Sequence, residues 1–184
     1  IYTSAEEGWK VKPEQIEAAC SGRTKVLILN NAANPTGVIY NHDEIASILQ
    51  IVEKKNLIVI SDEVYSGLVY GGQEYISCSS FPNHHDSVVI IQSVSKHFAM
   101  TGWRVGFVFG PEELINALAN LQGQSTTGTS SISQWAAVEA FENADTIIPR
   151  NRVLMQKRRD ALVSAFKKYF GKDALPVMMR PGEN

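Results

Sequence analysis

Residues 25–61 read KVLILNNAANPTGVIYNHDEIASILQIVEKKNLIVIS, and this stretch decides the fold. Lys25 to Leu29 is a short run of Leu and β-branched residues, which suits a strand. It enters a segment rich in Asn, Pro and Gly from Asn30 to Gly37, which suits a loop. His42-Asp43-Glu44 then precede Ile45, Ile48, Leu49 and Val52, apolar residues at the spacing of one helix face, with Lys54, Lys55 and Asn56 near the end. Asn41 or Asp43 is placed to cap such a helix. Leu57 to Ser61 is a second apolar run bounded by polar residues. Strand, helix and strand in this order form a crossover unit whose two strands run parallel.

Further along, a turn-rich stretch from Ser77 to Asp86 leads to a third strand, Val88 to Gln92. Arg104 to Phe109 is a fourth. Only about a dozen residues separate it from the third, too few for a helical crossover, so it is expected to run antiparallel. From Pro111, Leu114, Ile115, Leu118 and Leu121 recur at helical spacing behind Pro and two Glu, a favoured helix start. Two more helices are expected, near Ser131 to Glu142 and Ile147 to Tyr169. Apolar strands alternating with amphipathic helices predict an α/β fold: a mostly parallel sheet with one antiparallel strand and helices on both faces.

Composition narrows the partners. At 184 residues and 44% hydrophobic the chain can bury a sizeable core. Its formal net charge of -2 offers no basic field for nucleic acid or an anionic membrane surface. Its apolar runs are far shorter than the roughly 20 residues that span a bilayer. Cys20 and Cys78 form neither a C-x-x-C motif nor a disulfide framework, which makes a reducing, cytoplasmic setting the expectation. The chain starts on Ile1 and ends just after Arg180-Pro181-Gly182-Glu183, and is expected to be a piece of a longer protein, truncated at both ends.

Open parallel sheets bind ligands at the carboxyl ends of their strands. Three strand exits here carry unusual polar chemistry: Asn34-Pro35-Thr36-Gly37; Ser61-Asp62-Glu63-Val64-Tyr65; and Ser93-Val94-Ser95-Lys96, with Gly102-Trp103-Arg104 downstream. Singly, each has an ordinary explanation. Asn-Pro-Thr-Gly is a good turn, Asp62 suits the cap of a helix starting at Glu63, Tyr65 suits a core, and a lone lysine is normally a solvated head on a flexible stem. Together they offer one crevice an amide, a carboxylate, a phenol, an amine and a guanidinium.

This series, with Tyr65 three residues after Asp62 and Arg104 eight after Lys96, resembles the signature of class I aminotransferases, fold-type-I pyridoxal-phosphate enzymes. The likeness runs from about Glu7 to Arg159. The stretch Gln122 to Gln134 further resembles the bacterial aspartate and prephenate aminotransferase subgroup. Asn31-Ala32-Ala33 departs from the pattern, which has Ser or Pro in this stretch in most relatives, and leaves Asn34 to Gly37 untouched.

The resemblance implies a role for each residue. Lys96 carries pyridoxal 5'-phosphate as a Schiff base and moves the proton between the substrate α-carbon and the cofactor, which requires an amine that spends time unprotonated. Asp62 keeps the pyridine nitrogen protonated, so that the ring can absorb the charge left on the α-carbon. Asn34 and Tyr65 hydrogen-bond the ring's 3′-oxygen, and Arg104 and Ser93 bind the phosphate. The resemblance further implies an amino acid and a 2-oxo acid as substrates, aspartate-like ones favoured, and a homodimeric parent protein. Residues 1–145 would belong to the cofactor-binding large domain, and residues 146–184 to a long linking helix and the incomplete start of a small domain. The arginine that meets the substrate carboxylate and an early phosphate-binding helix would lie outside this chain, so weak or no turnover is expected of it alone.

The same motifs admit a carbon–sulfur lyase of this fold or the aminotransferase-like sensor domain of a transcriptional regulator. His84, His85 and Asp86 sit in a turn with no further ligand cluster, so no metal is expected. Trp9, Trp103 and Trp135 read as packing residues, and Cys78 has no flanking cation to activate it.

Overall fold

The computed structural model describes residues 1–171. In chain order it contains helix α1 (Pro13–Ala19), strand β1 (Val26–Asn30), helix α2 (His42–Lys54), strand β2 (Ile58–Asp62), strand β3 (Val88–Ser93), helix α3 (Val94–His97), strand β4 (Gly106–Phe109), and helices α4 (Glu112–Ser125), α5 (Ser131–Glu142) and α6 (Ala144–Phe170). The strands form one sheet in the order β1-β2-β3-β4. β1, β2 and β3 are parallel. β4 pairs antiparallel with β3, as the short connection demands.

α2 forms where the apolar spacing places it, and Asn41 rather than Asp43 caps it. The Asn41 side chain accepts from Glu44 N (3.0 Å) while the Glu44 carboxylate accepts from Asn41 N (2.7 Å), a reciprocal box that satisfies two helix-end donors. Ile45, Ile48, Leu49 and Val52 are fully buried in one cluster with Leu29, Val59, Val88 and Ile90 of the strands. Each such side chain contributes roughly 1.5–3 kcal/mol of hydrophobic stabilisation. This cluster fixes β1, β2 and β3 side by side, and their ends with them. α1 joins it through Ile16. A second cluster, Val94, Phe98, Val105, Ala137 and Ala140, packs α3 and α5 beside β4. There Phe141 meets Phe98 (5.2 Å) and Phe107 (5.6 Å) edge-on.

Along β1 the two faces differ. Leu27 and Leu29 pack on the first cluster, whereas Ile28 between them is 71% exposed. β4 starts two residues later than its apolar run suggests, because Arg104 adopts the left-handed conformation (φ 57°, ψ 47°) and interrupts the extended backbone. α6 starts at Ala144, ahead of the expected Ile147, with Pro149 inside it. Residues 172–184 of the expected second part lie outside the described residues.

Candidate functional site

The parallel registers bring the strand exits together. Asn30, the last residue of β1, pairs with Asp62, the last of β2, and Asp62 pairs with Ile91, two residues before β3 ends at Ser93. Asn30 then folds the first loop back: its Nδ2 donates to Asp62 O (3.1 Å) and its Oδ1 accepts from Asn34 N (2.7 Å). That returns Asn34 to the second exit, where its Nδ2 donates to the Tyr65 hydroxyl (3.0 Å). The third exit delivers Lys96, whose Nζ stands 5.5 Å from the centroid of the Tyr65 ring. Asn34, Tyr65 and Lys96 therefore come from three separate strand ends and meet at one place.

Asp62 and Ser93 are the last residues of β2 and β3, and Arg104 stands two residues before β4, whose Gly106 pairs with Ser93. Asp62 Oδ1 accepts from Val64 N (3.3 Å), which turns the chain sharply after β2; a short 3₁₀ turn follows only at Ser66–Leu68, so Asp62 caps no helix beginning at Glu63. Ser93 caps α3, the turn that carries Lys96: its Oγ accepts from Ser95 N (3.0 Å) and donates to Val105 O (2.9 Å). Arg104 donates from Nη1 to Thr101 O (2.8 Å). A left-handed non-glycine backbone costs on the order of 1–3 kcal/mol, and such strain collects at functional sites because their geometry over-determines it.

Sequence reasoning missed the bracing behind these exits. Glu63 is 2% exposed, and its Oε1 accepts from Ser61 Oγ (2.9 Å), Ser77 Oγ (3.0 Å) and Cys78 N (3.0 Å). Burial raises the Glu63 carboxyl above the usual range, and these donors partly offset the rise. Burial likewise pushes the Cys78 thiol up to about 11, which keeps it protonated and inert. Asn31, equally buried, donates to Ile76 O (3.2 Å) and accepts from Tyr40 N (3.1 Å), while the Tyr75 hydroxyl donates to Asn31 O (2.7 Å). The loop from Tyr75 to Cys78 thus ties the first two exits together. The only sequence signal was a charged Glu63 immediately after a strand; its partners fourteen and fifteen residues on were invisible.

His84 and His85 lie in the turn Pro82–Ser87, where His84 Nδ1 faces Glu53 Oε2 of α2 at 3.8 Å and His85 Nε2 lies 3.0 Å from Ser79 O. No helix among the described residues is long and apolar enough to cross a membrane.

Residues 1–181 match the family model described as aminotransferase class I and II. The chain belongs to this family. It is 36% identical over 173 residues to a probable aspartate/prephenate aminotransferase of Rhizobium leguminosarum bv. phaseoli, covering 93% of this chain and 43% of that protein. It is 40% identical over 150 residues to an asparagine–oxo-acid transaminase of Streptococcus mutans, covering 80% of this chain and 38% of that one. Among solved structures, aspartate aminotransferase from Thermus thermophilus with maleate superposes with a TM-score of 0.84 at 34% identity, over 90% of this chain and 44% of that one. The chain thus spans less than half the length of these relatives.

Proposed function

We propose that this chain is the cofactor-holding part of a pyridoxal-phosphate-dependent aminotransferase that moves an amino group between an aspartate-like amino acid and a 2-oxo acid. The observation that carries the reading is the convergence of Asn34, Tyr65 and Lys96 from three strand ends. The donor set fits the cofactor. Lys96 supplies the amine that holds it covalently and that moves the substrate α-proton, and Asp62 supplies the carboxylate that keeps a pyridine nitrogen protonated. Pyridoxal phosphate, when bound, supplies the electron sink for the charge that proton leaves behind.

The hydrogen-bond directions refine the roles. Tyr65 accepts from Asn34, which leaves its own proton free and would let it donate to the 3′-oxygen of pyridoxal phosphate. Arg104 uses one of five N–H donors on Thr101 O and keeps the rest for a phosphate. Ser93 has a single proton, directed at Val105 O, and contributes to the phosphate only by turning its hydroxyl.

Residues 1–145 then belong to the large domain, and residues 146–184 to the linking helix and the incomplete start of a small domain. The parent protein is a homodimer of the cytoplasm. The relatives' names, one aspartate/prephenate and one asparagine–oxo-acid, support a short acidic or amide amino donor. Borohydride reduction of the protein mixed with pyridoxal phosphate tests the reading. It should add one reduced pyridoxyl phosphate to the peptide carrying Lys96, and Lys96→Ala should abolish the addition. Equal labelling of both proteins would remove Lys96 from the role.

A further inference from the structure

Tyr65 and Lys96 each sit one residue upstream of a second contact, and that contact has the form of a clamp. His97 follows Lys96, and Ser66 and Gly67 follow Tyr65. The Gly67 N–H donates to His97 Nε2 (3.2 Å), and Ser66 Oγ lies 3.4 Å from the same nitrogen. A backbone N–H can only donate, so Nε2 must be the unprotonated, accepting nitrogen, which fixes the tautomer without reference to hydrogen positions. The ring lies directly on the Gly67 backbone: a Cβ added at Gly67 would meet His97 Cγ at 3.0 Å. Residue 67 is therefore a glycine because the imidazole occupies the space of its side chain.

Both halves of this contact are gripped again from α6 by consecutive residues. Asn151 Nδ2 donates to His97 O (3.0 Å) and Arg152 Nε donates to Gly67 O (3.2 Å). From the sheet, Gln92 Nε2 donates to Ser66 Oγ (3.0 Å). The turn that presents Tyr65 and the turn that presents Lys96 are thus joined through one imidazole and held by a helix and a strand.

We propose that His97 is a positioning residue which, as a neutral hydrogen-bond acceptor, sets the distance between the Lys96 amine and the Tyr65 hydroxyl. This deepens the aminotransferase reading and rests on it, because the distance matters only if both groups face one cofactor. Burial lowers the pKa of His97, the Arg152 charge lowers it further, and a hydrogen bond to the Val64 backbone opposes them. Gly67, Ser66 and the Phe98 ring (6.4 Å) also lie beside it. Protonation would place a hydrogen on Nε2 facing the Gly67 N–H and break the clamp. The depressed pKa keeps the acceptor in place down to below the ordinary histidine range.

The test compares His97→Gln, whose side-chain oxygen still reaches the Gly67 N–H, with His97→Leu, which fills similar space and accepts nothing. Two readouts are taken on each full chain. One is the pyridoxal phosphate concentration that half-saturates borohydride labelling of Lys96; the other is the pH at which the bound cofactor's absorbance changes. His97→Leu should weaken retention by about tenfold, the scale of one lost buried hydrogen bond, and shift that pH. His97→Gln should stay near the parent on both. Gly67→Ala, which keeps His97 and displaces its ring, should reproduce the leucine variant and serves as the decisive comparison should that variant fail to fold. In the cofactor-free chain, 15N resonances of His97 should show an unprotonated Nε2 at neutral pH.

If the parent protein labels at Lys96 while the leucine and alanine variants match it in both readouts, His97 has no positioning role. A protonated Nε2 at neutral pH would overturn the inference equally. If the parent itself fails to label, the aminotransferase reading falls first.

Discussion

The cluster under α2 and the cluster beside α5 are built from the same kinds of residue but are closed to different degrees. In the first, Ile45, Leu49, Val52 and Val59 lose all contact with water. In the second, α5 buries Ala137 and Ala140 yet leaves Trp135 at 75% and Ile132 at 75% exposure, and α4 buries nothing. The difference teaches where this stretch of chain stabilises itself. The crossover unit β1-α2-β2 carries its own core, cap and loop bracing, whereas the helices after β4 display apolar surface that the described residues do not cover.

Substitutions that strike one region and spare the other sharpen this contrast. Leu49→Ala opens a cavity in the closed cluster and should cost about 2–5 kcal/mol in denaturant unfolding; a value near zero would mean that α2 is not the centre of stability. Glu63 gives a test through pH. Its folded-state pKa lies above the unfolded value, so the folded chain holds the proton longer. The contribution is fully present below the unfolded carboxyl range and is lost as pH rises through the raised value. Stability of the parent relative to Glu63→Gln should therefore fall across that window, and a flat difference would deny the buried titration.

Capping provides a smaller comparison. Asn41→Ala should cost about 1 kcal/mol because Asn41 accepts from Glu44 N, while Ser130→Ala at the head of α5, where the serine makes no such bond, should cost almost nothing. Smallest of all, Leu121→Gln and Trp135→Gln on the open helices should change thermal unfolding by less than about 0.5 kcal/mol. A large loss from either would show that α4 and α5 are packed against more than the described residues.

Much of this contrast was legible in the sequence. Short apolar runs placed β1 to β3 to within a residue, the helix expected near Ser131 to Glu142 coincides with α5, and the dozen residues before β4 dictated its direction. α1 escaped notice because its seven residues, about two turns, bury only Ile16. Arg104 looked like strand and is a left-handed corner, a conformation no apolar pattern encodes. For the site, Asn34, Asp62, Tyr65, Ser93 and Lys96 mark the strand exits, since each follows an apolar run, while Arg104 precedes one. Their supports do not show: Glu63 with Ser77, Asn31 with Ile76 and His97 with Gly67 are pairs far apart in the chain, and only the folded backbone makes them neighbours.

The 27-residue helix α6 carries a mechanical consequence. Its grip on His97 and Gly67 lies near its start, at Asn151 and Arg152, and from there to Phe170 it runs about 28 Å at 1.5 Å per residue. A rod of that length acts as a lever arm with its pivot beside Lys96. A tilt of about 5° at the pivot swings the Phe170 tip by roughly 2.5 Å, and a load applied at the tip returns as torque on the turn that bears the lysine.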